Sequence, residues 1–164
     1  MSGGRTRALV LGIGNILLGD EGVGVAVVRE LERDAGSLPA GTQVVDGGTL
    51  GLDLLPLVET AEELIVIDAL ELRAEPGTVT VLRGGEVGDR LGGHLSIHQV
   101  GVADLMAAAR LLGRLPGHVT LVGIQPGCVD PGLRLSPPVE AAIPRVVEVV
   151  RRELAMADRL VAAG

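Results

Sequence analysis

The chain contains no lysine, so all 14 of its basic residues are arginine. It also contains no phenylalanine, tyrosine or tryptophan. These absences remove whole chemistries. A phosphate loop built on a Walker lysine, a Schiff-base lysine and a catalytic Tyr–Lys pair are excluded. Stacking of bases, flavins or sugars on aromatic rings is excluded too. The single cysteine, Cys128, permits neither an intrachain disulfide framework nor a zinc ribbon. No apolar run approaches the ~20 residues of a membrane helix, because charges, Gly or Pro interrupt every candidate. Met1 to Arg7 is polar and lacks the apolar stretch and cleavage pattern of a secretory signal. The net charge is −7 and the arginines are scattered, which argues against a nucleic-acid footprint. The expectation is a soluble, cytoplasmic protein without nucleic-acid or membrane partners.

What is present is a hydrophobic content of 47%, enough to exclude a disordered chain. A length of 164 residues fits a single domain, 1–164, whose core must be built from Leu, Val, Ile and Ala. Ala8 to Ile13 is a continuous apolar run closed by Gly14-Asn15, a buried strand and its turn. From Gly22 to Arg33, Val23, Val27, Val28 and Leu31 recur at helical spacing. Thr42 to Val45 reads as a second strand, closed by the Asp46-Gly47-Gly48-Thr49 turn. Leu50 to Glu59 reads as a helix interrupted near Pro56. Glu63 to Leu70 is a third strand, and Thr78 to Leu82 a fourth.

Gly84 to Gly93 is rich in glycine and polar residues and reads as a loop. Gln99 to Leu112 reads as a helix and Val119 to Ile124 as a fifth strand. Pro126 to Pro138 is irregular, and a final helix runs from Pro138 to Val161. Alternating strands and helices predict an α/β fold with a largely parallel sheet. The short connection between strands three and four predicts one antiparallel neighbour.

In such folds ligands sit outside the carboxyl ends of the strands. The polar residues at those ends are Asp20 and Glu21 after strand one, Asp46 after strand two, and Asp68 at the end of strand three. Ser96 and His98 lie just before the next helix. Two carboxylates and one imidazole converging there would suit a borderline divalent metal such as zinc or nickel. No HExxH helix is present, so the chain is not a standard zinc protease.

At these residues the sequence resembles a known family. GIGNILLGDEGVG, VVDGGTLG, LIVIDAL, SIHQVGVADL and TLVGIQP occur in the order and spacing of the hydrogenase maturation endopeptidases. The resemblance runs from Leu9 to the final helix. It implies a three-layer α/β/α architecture with a central, twisted, mostly parallel five-stranded sheet. It implies metal-contacting residues at Glu21, Asp68 and His98, and an endopeptidase activity. The implied substrate is the precursor of a nickel–iron hydrogenase large subunit carrying a C-terminal extension. The nickel is implied to belong to that substrate, although other divalent ions would occupy the site in vitro. A monomer is also implied.

Each residue has a plainer reading. Glu21 would serve as a first-turn helix acid with Asp20 as N-cap. Asp68 would cap a turn, although an Asp after LIVI is costly unless paired. His98 would be a satisfied helix-start histidine. Asp46 is open between a catalytic base, an orienter of neighbouring groups and a brace for the Gly47-Gly48 turn. Asn15 holds its turn or offers its amide to a substrate. Cys128 reads as a buried or incidental thiol. Ser96 beside His98 lacks the GxSxG setting of a nucleophile.

Two other functions compete. GIG after strand one, with Asp46 after strand two, imitates a dinucleotide fingerprint. Leu17 occupies the third glycine position, and Asp20-Glu21 would repel a pyrophosphate. The second is a protein of the same fold that has lost processing activity or acts on another precursor.

Overall fold

The computed structural model describes residues 6–92 and 97–162, without the side chains of 97–100, 158 and 160–162. Five strands form one sheet: β1 (Thr6–Ile13), β2 (Thr42–Gly48), β3 (Ala61–Ala69), β4 (Val79–Arg83) and β5 (His118–Ile124). Their spatial order is β2-β1-β3-β5-β4. All neighbours are parallel except β4 and β5. The helices are α1 (Val23–Arg33), α2 (Leu55–Val58), α3 (Gly85–Leu91), α4 (Ile97–Leu111) and α5 (Pro137–Ala162).

Side chains alternate across the strands and so divide the core in two. Ala8, Val10, Ile65 and Ile67 pack with Val27, Leu31, Val146 and Leu154, the layer of α1 and α5. Leu9, Leu11, Leu64 and Val66 pack with Val58, Leu91, Leu105 and Ala109, the layer of α2, α3 and α4. The expected α/β/α sandwich is therefore present, assembled without an aromatic ring.

Three expectations need correction. Gly84 to Gly93 is not all loop, because Gly85–Leu91 is helical. Its buried residues are Val87 and Leu91, one turn apart, and the Glu86 carboxylate accepts the Arg83 N–H at 3.0 Å. The glycines hid this short amphipathic turn. Pro56 does not interrupt a helix; it lies in the first turn of α2, where its missing N–H costs nothing. The antiparallel strand β4 exists, but it pairs with β5 rather than β3. All residues of β5 after His118 are buried, so β5 needs a neighbour on each side, whereas half-buried β4 tolerates the edge.

The chain leaves β1 toward one edge of the sheet and returns from β2 to the opposite side of β1. This reversal puts the topological switch at the carboxyl ends of β1 and β3, where a crevice opens in doubly wound sheets.

Candidate active site

Strand β1 ends at Ile13, and the chain turns through Gly14 with φ +132. A Cβ there would stand 1.7 Å from the Glu21 carbonyl oxygen, so only glycine fits. The Asn15 side chain accepts the Leu17 N–H at 2.9 Å, the turn-holding role. A 3-10 turn, Gly19–Gly22, then presents Asp20 and Glu21. Helix α1 follows and packs closely on the sheet. A Cβ on Gly24 would lie 2.2 Å from the Ile67 carbonyl oxygen and 2.5 Å from that of Ile13. That approach brings the Glu21 turn down on to the end of β3.

Asp68 is at that end, with 1% of its surface exposed. By alternation it lies on the same sheet face as Leu64 and Val66, the side of α4. Burial pushes its carboxyl well above the ordinary carboxylate range, and the nearby Glu21 charge pushes it further. A hydrogen bond with the Ala69 backbone works against both. Its Oδ1 has no hydrogen-bond partner among the described residues. Glu21 and Asp68 are thus brought together.

The side chain of His98 lies outside the described residues. Its helix position does not: α4 begins at Ile97. Farther along this helix, Gly101, Val102 and Leu105 line a cavity of about 110 Å³ with Ile13 and Gly48. The start of α4 is therefore at the carboxyl-end rim. Among the described residues no cluster of three or more His, Cys, Asp or Glu able to hold a metal is found. Glu21 and Asp68 furnish two oxygen donors.

Asp46 stands apart from this pair. It is opposite Gly12 on β2, while Gly12 is opposite Ile67 on β3, so a full strand separates Asp46 from Asp68. That spacing is about 10 Å. Its carboxylate pairs with Arg29 of α1 at 3.2 Å, and both side chains are exposed. Such a pair contributes only about 0–1 kcal/mol and separates readily.

Asp20 does not take the N-cap part that the plainer reading of Glu21 gave it. It forms no N-cap bond and is completely buried. Its carboxylate accepts four hydrogen bonds: from the N–H groups of Gly127 and Cys128 at 2.8 Å each, the Ser136 N–H at 2.6 Å and the Ser136 hydroxyl at 2.7 Å. Burial raises its pKa, but the Ser136 hydroxyl and the three backbone donors outweigh this and hold it below the usual range. Nothing local announces partners more than a hundred residues away. Cys128 is exposed rather than buried, with its Sγ 3.6 Å from an Asp130 oxygen.

The sequence profile described as HycI, hydrogenase maturation protease, matches residues 25–153. The chain belongs to the hydrogenase maturation protease family. It is 42% identical over 145 residues to the hydrogenase 2 maturation protease of Escherichia coli, covering 88% of each chain. It is 43% identical over 150 residues to the hydrogenase expression/formation protein HupD of Rhodobacter capsulatus, covering 90% of this chain and 71% of that one. The fold matches the hydrogenase maturating endopeptidase HybD of E. coli with a TM-score of 0.85 and 40% identity, covering 92% and 93% of the two chains. It also matches the [NiFe] hydrogenase maturation protease HybD of Thermococcus kodakarensis, with a TM-score of 0.74 and 30% identity, covering 90% and 99%. As a member of this family the protein is a hydrolase, an endopeptidase of hydrogenase maturation. Among its described residues no helix is long and apolar enough to cross a membrane.

Proposed function

We propose that this endopeptidase removes the C-terminal extension of a nickel–iron hydrogenase large-subunit precursor, and that it recognises the nickel already seated in that precursor. One observation carries the proposal. Asp68 is a buried carboxyl with one oxygen that has no partner among the described residues, and the charge of Glu21 stands beside it. Two facing acids without a cation repel, and burial makes the charge on Asp68 costly. A divalent ion removes both penalties. His98, from the start of α4, would supply a nitrogen donor to complete an O,O,N set suited to nickel.

In this reading the metal is part of the substrate. Glu21, Asp68 and His98 take up coordination positions that the precursor leaves open. A metal-free precursor offers nothing to relieve the carboxylate pair and is rejected. A divalent ion held by Glu21, Asp68 and His98 would supply a specificity anchor, and could in addition polarise a peptide carbonyl or lower the pKa of a bound water. Water then adds across the C–N bond, leaving a new carboxylate on the precursor and a free amine on the extension. Asp46, paired with Arg29 on the α1 face of the sheet and a full strand from Asp68, would not bind the ion. The enzyme is proposed to act as a cytoplasmic monomer.

Incubation with nickel-loaded and nickel-free precursor tests the proposal by the shift in precursor mass. The expected result is trimming of the loaded form alone. Equal trimming of both would defeat metal recognition. A single-turnover assay on precursor carrying an inert metal then separates anchoring from activation of water.

A further inference from the structure

We propose that Asp20 is a positioning residue for this peptidase: its carboxylate latches the segment Gly127–Ser136 to the turn that carries Glu21, and so fixes where Glu21 stands relative to Asp68. The inference rests on the reading of Glu21 and Asp68 as metal-recognising groups.

The 3-10 turn has little stiffness of its own. It spans Gly19–Gly22 and has no side-chain cap. Helix α1 sets its C-terminal side through the close packing of Gly24 on the sheet, and one segment holds its other side from outside. The Gly19 N–H donates to the Gly132 carbonyl at 2.9 Å, and the Gly132 N–H to the Leu17 carbonyl at 2.8 Å. The Asp20 N–H donates to the Cys128 carbonyl at 2.8 Å. Around these bonds the Asp20 carboxylate collects its four donors.

The segment is itself anchored in the core at both ends. It begins just after β5 and the buried Gln125, whose amide bonds Leu72 and Glu71. It ends at Ser136, whose carbonyl accepts the Val139 and Glu140 N–H groups as α5 starts. Asp20 therefore ties the Glu21 turn to β5 on one side and α5 on the other.

Aspartate is the residue this geometry requires. Both carboxylate oxygens face N–H donors: Oδ2 faces Gly127 and Cys128, and Oδ1 faces Ser136. An asparagine in either orientation sets its NH₂ against a backbone N–H, which pushes the segment away. The displacement reaches Glu21 one peptide later, while Asp68 stays on its strand. A metal site held by both then loses its geometry, with losses of about 10–100-fold typical for groups that support metal ligands.

The test titrates nickel(II) ion alone into the full chain by calorimetry, in parallel with trimming of nickel-loaded precursor. The variants are Asp20→Asn, Ser136→Ala, Ser136→Thr, Glu21→Gln, and Val150→Ala as a destabilised control. Val150 is buried between the sheet and the α1–α5 layer, away from the site. Asp20→Asn is expected to lower both nickel affinity and kcat by about 10–100-fold. Ser136→Ala should shift both in the same direction by less, and Ser136→Thr should restore them. Val150→Ala should lose melting temperature while keeping wild-type affinity.

Wild-type nickel affinity in folded Asp20→Asn would overturn the latch, provided Glu21→Gln has lost it. If Asp20→Asn does not fold, Ser136→Ala decides, and unchanged affinity there overturns the latch equally. Unchanged affinity in Glu21→Gln would remove the ligand role of Glu21, and the latch would have nothing to position.

Discussion

Two buried aspartates flank Glu21, and the protein treats them in opposite ways. Asp20, in the turn after β1, has its carboxylate filled by four donors and is held below the ordinary range. Asp68, at the end of β3, has one oxygen without a partner among the described residues and is pushed well above that range. The same side chain, closed to solvent in both places, is a structural fastener in one and, in the other, the carboxyl proposed to await a cation. What separates them is depth and donor supply together: Asp68 lies deeper in the core and is short of donors, whereas Asp20 lies under the surface among four of them. A buried carboxyl left short of donors raises the folded-state energy until something positive arrives.

The comparison breaks most sharply at the site itself. Asp68→Asn and Glu21→Gln should each reduce trimming of loaded precursor by more than about 100-fold, beyond the range for merely supporting groups. Circular dichroism should show the fold intact. Trimming within tenfold of wild type by either variant would place metal recognition elsewhere.

Stability should respond in the reverse order. Asp20→Ala strips the carboxylate acceptor from the N–H groups of Gly127, Cys128 and Ser136, which are only partly buried, and should cost about 1–3 kcal/mol. Urea unfolding measures this, and a loss below ~1 kcal/mol would make the fastener dispensable. Gly24→Ala should cost about 1–3 kcal/mol by driving a methyl into the carbonyls of Ile67 and Ile13, separating the two regions.

Asp68→Asn, by contrast, should raise the melting temperature at neutral pH by about 2–4 °C. The sign follows from proton linkage. Folded Asp68 keeps its proton above the ordinary value of 3.8, where the unfolded chain has released it. Its contribution to stability therefore falls as pH rises from that value through the raised one, and is level beyond. Melting scans from pH 4 upward should show this decline in the wild type and its loss in Asp68→Asn. The smallest effect is expected at Cys128→Ala, within about 0.5 kcal/mol and without change in trimming, because the thiol is exposed and its side-chain contact among the described residues is with Asp130.

Much of this was legible from residues alone. The apolar runs of β1, β3 and β5 announced buried parallel strands, and the position of Asp68 after LIVI marked it as costly. Glu21 and the start of α4 were placed at the carboxyl ends of strands by element order. The fastening role of Asp20 was not legible because its partners come from the other end of the chain, and a helix-start acid resembles a cap whatever it bonds. The short helix α3 was hidden by glycines, and the place of β4 at the edge depended on which strand needed two neighbours.

The sequence by itself determined the layers of this protein and the family to which it belongs, because period and motif order are local properties carried by consecutive residues. Only the tertiary structure decided which of two acidic side chains is satisfied. That depends on donors delivered through space by Gly127, Cys128 and Ser136, and no spacing along the chain encodes their arrival.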